Sequence, residues 1–472
     1  INQLISKPLS ELFDSVFLTT HCGIPPKFLS CNQLHNDSGS FLEDMYTNSQ
    51  NENDVFLKYN EENITNSTID SIPQNTGGNI NYSQLLASDL PKNEEHEINK
   101  SIIINLGKDI QSGEKVLWEI ENTLSTMNTN TGIIGTMGTG KTQFTKSLIT
   151  QLTNNDVGNS QLSILIFDYK SDYIDDEFVN INKGRKYKPY RLPYNPLSLY
   201  GEIPLLPVHT ARVFSETLGK AFNLGVKQQL KLRKVIAEAY EMRGVNKADQ
   251  STWSNLPPTL YDIWALYLEK DPEQDSLYAA LESLADLEVF ESDATKCLSL
   301  FDFISNVTII ELAQYPSQIQ SLVVALTLDQ FYSQMQKSPK PQVKENFRRL
   351  SKMILVDEAD NFMSENYDSL RKILKEGREY GVGMILSTQD ITHFQTGDND
   401  YSNYILTWFV HKVSKIKNQD IKAIFNVGDK ISQDSLMGSI NTLETHHCLY
   451  VDGKKDIIKL NDFAFWMLLN EL

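Results

Sequence analysis

The sequence predicts an α/β protein: a mainly parallel sheet with helices on both faces, an all-α insertion, and an acidic, partly disordered N-terminal linker. Three observations carry this prediction. Runs such as Leu162 to Asp168 and Met353 to Val356 are apolar at nearly every position, as strands buried on both faces are. Stretches with 3.6-residue apolar periodicity separate such runs, and alternating strands and helices imply parallel pairing. The third is Gly135-Thr136-Met137-Gly138-Thr139-Gly140-Lys141-Thr142, which fits G-x-x-x-x-G-K-[ST]. A short apolar strand, Gly132-Ile133-Ile134, leads into it. An amphipathic helix, Gln143 to Leu152 with Phe144, Leu148, Ile149 and Leu152 on one face, leads out.

That loop is a phosphate cradle. Glycines let the backbone curl so that several N–H groups face a β-phosphate, and the helix N-terminus adds its dipole. Lys141 is placed to reach the β- and γ-phosphates, and the Thr142 hydroxyl to hold Mg²⁺. The protein is read as nucleotide-binding.

Composition sets the bounds. At 472 residues and 40% apolar content, the chain suits one large α/β domain with appendages, or two to three domains. No apolar run approaches the ~18 residues of a membrane span, and nothing resembles a signal peptide. The four cysteines (Cys22, Cys31, Cys297, Cys448) are scattered, which predicts a reducing, cytoplasmic setting without structural zinc. The net charge of −18 argues at first sight against a nucleic-acid partner. Residues 1–130, however, hold 7 basic and 18 acidic residues, so most of the excess lies there. A mildly acidic body can still place basic residues on one surface or around a pore.

Taken in order, residues 1–32 read as the edge of an upstream domain, because they are too few to fold alone. The start at Ile1 rather than Met fits a C-terminal piece of a longer chain. Residues 33–100 are rich in Asn, Ser, Asp and Glu and bury too little apolar surface to offset their ordering entropy, so they read as a linker. Residues 101–472 read as one nucleotide-binding domain. Its strands are Ser101 to Gly107, Val116 to Trp118, the run before the phosphate loop, Leu162 to Asp168, Val307 to Leu312, Met353 to Glu358, Gly383 to Gln389, Ile405 to Val410 and His447 to Val451. A long amphipathic helix is expected from about Gln318 to Met335. Between about 204 and 300 the pattern is helix after helix, Val213 to Phe222, Lys227 to Arg243 and Leu260 to Leu268, broken by Pro257-Pro258.

Candidate chemistry gathers at strand ends. Ile354-Leu355-Val356-Asp357-Glu358 is an apolar strand ending in two acids. Asp357 is expected to bind Mg²⁺, and Glu358 to orient and deprotonate the attacking water. The bland alternative is an acidic pair capping the next helix. Gln389 ends the following strand, as a sensor of the γ-phosphate and the water or as an ordinary strand-end polar residue. Arg378 reads equally as a helix-end cation or an arginine finger, and its place before the Gln389 strand is expected on the active-site edge of the sheet. Lys183, Arg185, Lys186, Lys188 and Arg191 interleave with Tyr187 and Tyr190, as in a nucleic-acid contact or a solvated loop. The basic stretch Lys337 to Lys352 reads as an exposed connection. His446 and His447 beside Cys448 read as an ordinary strand edge, since no fourth ligand stands at zinc spacing.

The order of motifs resembles a known family. The phosphate loop is followed by Ile166-Phe167-Asp168-Tyr169-Lys170-Ser171-Asp172-Tyr173, then Asn195-Pro196-Leu197, then a helical insertion. Ile354 to Glu358 comes next, and last the run from Gly377 through Arg378 and Gly381 to Ser387-Thr388-Gln389. Over roughly residues 101–472 this is similar to the HerA/FtsK superfamily of hexameric DNA-pumping ATPases. Within it, the Asp168 to Tyr173 wording looks most like the ATPase region of DptH-type, phosphorothioation-dependent restriction proteins. The resemblance implies a RecA-like core forming a homo-oligomeric ring, a hexamer, around duplex DNA, with ATP and Mg²⁺ as cofactors. It implies Lys141 and Thr142 for phosphate and metal, Asp357 and Glu358 for metal and water, Gln389 as sensor, and Arg378 acting on the neighbouring subunit. Met137 and Thr139 stand where this group often has Thr and Ser, and the acidic balance leaves the DNA-facing surface unassigned.

Three functions follow as expectations. The first is a DNA-translocating ATPase serving a restriction or defence complex, with cutting left to partner nuclease subunits or a missing domain, since no nuclease constellation is visible. The second is a protein- or conjugation-type secretion ATPase. The third is a nucleotide-gated scaffold, against which the intact Asp357-Glu358 pair counts.

Overall fold

The computed structural model describes residues 101–155, 162–396 and 399–471. The domain edge expected at 1–32 and the linker expected at 33–100 lie outside these residues.

Strands β1 (Ile103–Asp109) and β2 (Lys115–Glu119) form a hairpin, followed by β3 (Thr131–Ile134) and helix α1 (Lys141–Thr153). Next come β4 (Ser163–Asp168), α2 (Asp176–Ile181) and β5 (Arg185–Tyr187). Five helices then run in succession: α3 (Leu206–Ala221), α4 (Val226–Met242), α5 (Leu260–Leu268), α6 (Ser276–Asp286) and α7 (Leu300–Phe303). The chain returns through β6 (Val307–Glu311), α8 (Ser317–Lys337) and a small hairpin, β7 (Val343–Lys344) with β8 (Phe347–Arg348). It continues with β9 (Lys352–Val356), α9 (Asp360–Met363), α10 (Asp368–Glu376) and β10 (Val382–Thr388). A second small hairpin, β11 (Gln395–Thr396) with β12 (Asn399–Asp400), precedes β13 (Thr407–Val410), α11 (Asn418–Phe425) and α12 (Lys430–Asn441). Strands β14 (His447–Val451) and β15 (Ile457–Asp462) and helix α13 (Phe465–Leu469) end the described chain.

Eleven of these strands make one sheet in the order β2-β1-β15-β14-β13-β3-β10-β9-β4-β6-β5. From β13 to β5 every pairing is parallel. From β13 back to β2 every pairing is antiparallel. The sheet is therefore mainly parallel, as expected, with one correction: the runs at Ser101 to Gly107, Val116 to Trp118 and His447 to Val451 belong to an antiparallel flank. Hairpins are what short connections permit, and β14 is joined to β15 by only a few residues.

The central strands are apolar throughout because both of their faces are covered. Along β4, Ile164 and Ile166 pack in one core with Phe144, Leu148, Ile149 and Leu152 of α1 and Phe465 of α13. Leu165 and Phe167, pointing the other way, pack with the succession of helices from α3 through α8. Strands β9 and β10 divide in the same way, Leu355 and Ile385 to the first core, Ile354 and Leu386 to the second. Each such side chain contributes roughly 1.5–3 kcal/mol of burial. Helix α8 is buried on several sides, through Leu322, Val323, Val324, Leu326, Leu328 and Phe331. Among the described residues no helix is long and apolar enough to cross a membrane.

One close approach fixes the centre of the sheet. Gly132 on β3 lies beside Trp408 on β13, and a Cβ at Gly132 would overlap the indole ring. Trp408 is fully buried, packs edge-on against Phe394 at 5.0 Å and donates its indole N–H to Ile405 O at 3.2 Å. Gly132→Ala should therefore cost about 1–3 kcal/mol through overpacking, read by urea unfolding. Combined with Trp408→Leu, which opens the space, the double variant should be more stable than the sum of the single losses predicts. Simple additivity would place the cost elsewhere.

Candidate active site

In a parallel sheet the carboxyl ends of all strands share one edge, and here five of them deliver polar groups to it. Strand β3 runs into Gly135, β4 ends at Asp168, β9 ends before Asp357, β10 ends before Gln389, and β13 ends before His411. A cavity of about 560 Å³ opens there, lined among others by Lys141, Thr142, Lys170, Asp172, Asp357, Glu358 and His446. A larger groove of about 890 Å³ lies between α3, α8 and α10. Size does not select the site; the convergence of phosphate-binding backbone and buried carboxylates does.

The phosphate loop is held from below. Gly135 N–H donates to Thr388 O at 3.2 Å, Thr136 N–H to Lys412 O at 2.9 Å, and the Thr139 hydroxyl to Thr136 O at 2.8 Å. Gly140, with φ +104°, is the N-cap of α1, and a Cβ there would lie 2.7 Å from His446 Nδ1. Only glycine meets both demands. The Lys141 ammonium is bonded to the carbonyl of Gly135 and lies 3.4 Å from that of Thr136, so it rests on its own loop. Burial pushes its pKa down, against the pull of Glu358 and Asp357.

The acids behave differently from one another. Asp357 is 4% exposed and is pushed up to about 7, first by burial and further by the charges of Glu358, Asp168 and Asp172. Glu358 holds a left-handed backbone, φ +49°, which is unusual for a residue with a side chain and turns its carboxylate into the cavity. One of its oxygens pairs with the Lys170 ammonium, and the other accepts from Gln389 Nε2 at 3.0 Å. Thr142 Oγ1 lies 3.3 Å from Asp172 Oδ2.

These residues fit a nucleotide carrying Mg²⁺. Curled N–H groups and two lysines suit phosphates, while the Thr142 hydroxyl and an acid held out of solvent suit a divalent cation. Among the described residues no cluster of three or more His, Cys, Asp and Glu could hold a metal by itself. Magnesium in such sites takes one or two protein ligands, with phosphates and water for the rest, so a complete protein cage is not required.

Several contributors escaped the sequence. The buried Asp168 carboxylate accepts from the N–H groups of Lys170, Asp172 and Tyr173 at 2.9–3.1 Å, folding that stretch into a loop that presents Lys170 and Asp172. Its position after a central strand was the available signal. His446 is not an ordinary strand edge: its N–H donates to Thr139 O at 3.0 Å, and its ring packs over Gly140 with Nδ1 3.1 Å from Asp462 Oδ1. His411, buried behind Gly135, faces the other Asp462 oxygen at 3.7 Å.

Two expectations need correction. Arg378 does not lie on the active-site edge. It sits in the turn Gly377–Tyr380 ahead of β10, beside Gly381, whose carbonyl accepts from Ser351 N–H at 2.8 Å where β9 begins. That is the amino edge, separated from the phosphate loop by the length of β10, seven residues or roughly 23 Å. The adjacent acid, Glu379, pairs with Lys340 at 2.6 Å. In the basic Lys183–Arg191 stretch, residues Arg185–Tyr187 form β5, the outermost parallel strand. Lys186 lies 3.2 Å from Asp176, Lys188 lies 3.9 Å from Glu311, and Arg191 pairs with Glu288. Tyr187 packs edge-on against Phe303 at 4.7 Å. The loop expectation is thus corrected to an edge strand at Arg185–Tyr187, while Lys183, Arg185, Lys186, Lys188 and Arg191 all remain exposed.

Fold and site together define a RecA-like P-loop protein. Residues 104–331 match the family described as "Helicase HerA, central domain". The chain is 24% identical over 359 residues to the DNA double-strand break repair helicase HerA of Saccharolobus solfataricus, a match covering 72% of this chain and 65% of that protein. It is 21% identical over 383 residues to the protein of the same name from Sulfolobus acidocaldarius, covering 76% and 69%. The chain thus spans about two thirds of the length of these relatives. Among solved structures, VirB4 of Thermoanaerobacter pseudethanolicus superposes with a TM-score of 0.60 at 16% identity, over 76% of this chain and 96% of that one.

The His411–Asp462–His446 group gives a pH test. Burial pushes His411 down to about 3, with Lys141 and His446 adding to the effect, and pushes Asp462 up to about 6 against its bond with His446. That bond raises His446. Below the ordinary imidazole value of 6.5, the unfolded chain takes up a proton that folded His411 refuses, so stability falls with pH. Asp462 and His446 act oppositely, because the folded chain holds their protons more tightly. Asp462→Asn removes both opposing contributions, so its Tm should fall more steeply than that of the wild type between about pH 7 and pH 5. A parallel profile would contradict this account.

Proposed function

We propose that this protein is an ATP-hydrolysing motor that translocates duplex DNA as a homo-oligomeric ring, a hexamer. The observation that carries the reading is the convergence of Lys141, Thr142, Asp357 and Glu358 on one cavity at the carboxyl edge of the sheet, with Gln389 bonded to Glu358. DNA as the track is supported by the names of the HerA relatives. Service in a restriction or defence system that senses phosphorothioate modification, in the cytoplasm and with separate nuclease subunits, is the finer part of the proposal. It rests on the Asp168 to Tyr173 wording. A protein- or conjugation-type secretion motor is the second reading, supported by the shared motifs and the VirB4-like fold.

The placement of these side chains supports the following roles. Bound ATP with Mg²⁺ supplies the phosphoanhydride bond to be cut and the cation that draws charge from it. The N–H groups of Gly138 to Thr142 and the Lys141 ammonium hold phosphate oxygens, which requires Lys141 to leave the Gly135 carbonyl. Thr142 and Asp357 would hold the metal. Glu358 takes the proton from water, and Gln389, already bonded to Glu358, orients both. Arg378, on the far edge, is out of reach of its own phosphate loop and is assigned to a neighbouring copy.

Lys141→Ala should abolish turnover by removing phosphate binding. Glu358→Gln should bind ATP normally while its turnover falls by ~10²–10⁴, the usual worth of a general base. Wild-type turnover in Glu358→Gln would sink that assignment. Stimulation of the wild-type rate by duplex DNA favours the DNA motor, a DNA-indifferent rate the secretion motor, and negligible turnover a scaffold.

Arg378→Ala should bind ATP yet lose ~10³–10⁵ in rate, as arginine fingers do. Mixed with Lys141→Ala, it should regain activity at interfaces pairing an intact phosphate loop with an intact arginine. Co-assembled mixtures that stay inactive, or full activity in Arg378→Ala alone, would leave Arg378 a helix-end cation.

A further inference from the structure

Glu358 is engaged on both oxygens in this structure. Gln389 donates to Oε2 at 3.0 Å, an amide contact compatible with orienting water. The Lys170 ammonium on Oε1 is another matter. The ammonium occupies the oxygen edge that an attacking water would use, and the pair fixes the Glu358 rotamer. A base held in this way is set back from its task.

The contact is built into the fold. Lys170 comes from the loop after β4, the strand that pairs directly with β9, and the Asp357 N–H donates to Phe167 O at 3.2 Å across that seam. The loop is pinned by the three N–H bonds to Asp168, by Ser171 in a left-handed turn (φ +62°), and by the Ser171 hydroxyl on Glu311 Oε1 at 2.7 Å. So pinned, it carries Lys170 to Glu358. The lysine side chain remains 38% exposed while the carboxylate is 9% exposed, so the cation is the partner with room to leave. Lys170 also lines the cavity of Lys141 and Thr142, where a terminal phosphate would offer it an alternative anion.

Resting on the ATPase reading above, we propose that Lys170 is a positioning residue that restrains Glu358. It holds the base back while the cavity lacks a properly seated triphosphate and the motor lacks its track, and it releases Oε1 when Lys170 transfers to the terminal phosphate. The restraint suppresses idle hydrolysis, a useful property in a motor whose fuel is always present.

The test compares ATPase rates with and without duplex DNA. Lys170→Met, which keeps the aliphatic stem but not the charge, should raise the DNA-free rate at saturating ATP on the order of 10-fold and shrink the stimulation by DNA accordingly. Lys170→Arg should restore the low DNA-free rate. Lys170→Met/Glu358→Gln should be inactive, tying the gain to the base. Binding of a fluorescent ATP analogue and a thermal melt verify that the Met variant is folded. A DNA-free rate that does not rise in folded Lys170→Met overturns the restraint, and loss of both rates would make Lys170 a substrate-binding residue instead. The wild-type rate tests the ATPase reading separately. With an inactive wild type, turnover gained by Lys170→Met still supports the restraint, and continued inactivity overturns it.

Discussion

Negative charge held away from water at the carboxyl edge of the sheet is the constraint on which the site depends. Asp168, Asp357 and Glu358 are all buried and lie within a few residues of strand ends. Isolated, each would be expensive to ionise. The chain answers each differently. Asp168 receives three backbone N–H groups and becomes the organiser of a loop. Glu358 receives a lysine and an amide. Asp357, pushed up to about 7, is the least compensated, and a metal ion is the partner its position fits. The ordered loop at Asp168, the fixed Glu358 carboxylate and the raised Asp357 thus answer one electrostatic problem.

The antiparallel flank braces that edge. Strand β15 carries Asp462, which is fully buried and holds His446, and His446 packs on Gly140 at the N-cap of α1. Helix α13 adds Phe465 against Phe178 of α2, with ring centroids 5.6 Å apart, in the core shared with α1. The last described segment therefore grips the helix whose N-terminus faces the phosphates. Movement of β14 and β15 would be felt at Gly140 without passing through the parallel core.

What the sequence made legible follows from burial. Strands β4, β9 and β10 are covered on both faces, so nothing interrupts their apolar runs, and the phosphate loop follows from chemistry that tolerates few substitutes. Strand β15 was missed because only Leu460 and Asp462 are buried along it, Ile457 and Ile458 are not, and Lys459 and Asn461 interrupt its apolar residues. Strand β5 was missed because its residues are Arg185, Lys186 and Tyr187, which read as a loop until β6 pairs with them. Lys170 and His446 act through tertiary neighbours far along the chain, Glu358 and Gly140, and no local spacing announces either contact. Arg378 was placed on the wrong edge because closeness in sequence to Gln389 was taken for closeness in space. A full strand lies between them.

That last displacement constrains assembly. Under the proposed function, a cation on the amino edge of one copy serves a phosphate loop on the carboxyl edge of another. Such a contact joins unlike surfaces and is heterologous, so a two-fold dimer cannot satisfy it and only a closed ring or an open filament can. Arg378 is half-buried and its pKa is held down by burial and by the nearby Arg348 guanidinium, so an anion arriving across an interface would favour its charge. Lys141, resting on its loop, and Lys170, resting on Glu358, would meet the phosphates from within a copy. Complete charge around the terminal phosphate would then require a neighbour, which makes hydrolysis conditional on assembly as well as on the release of Glu358.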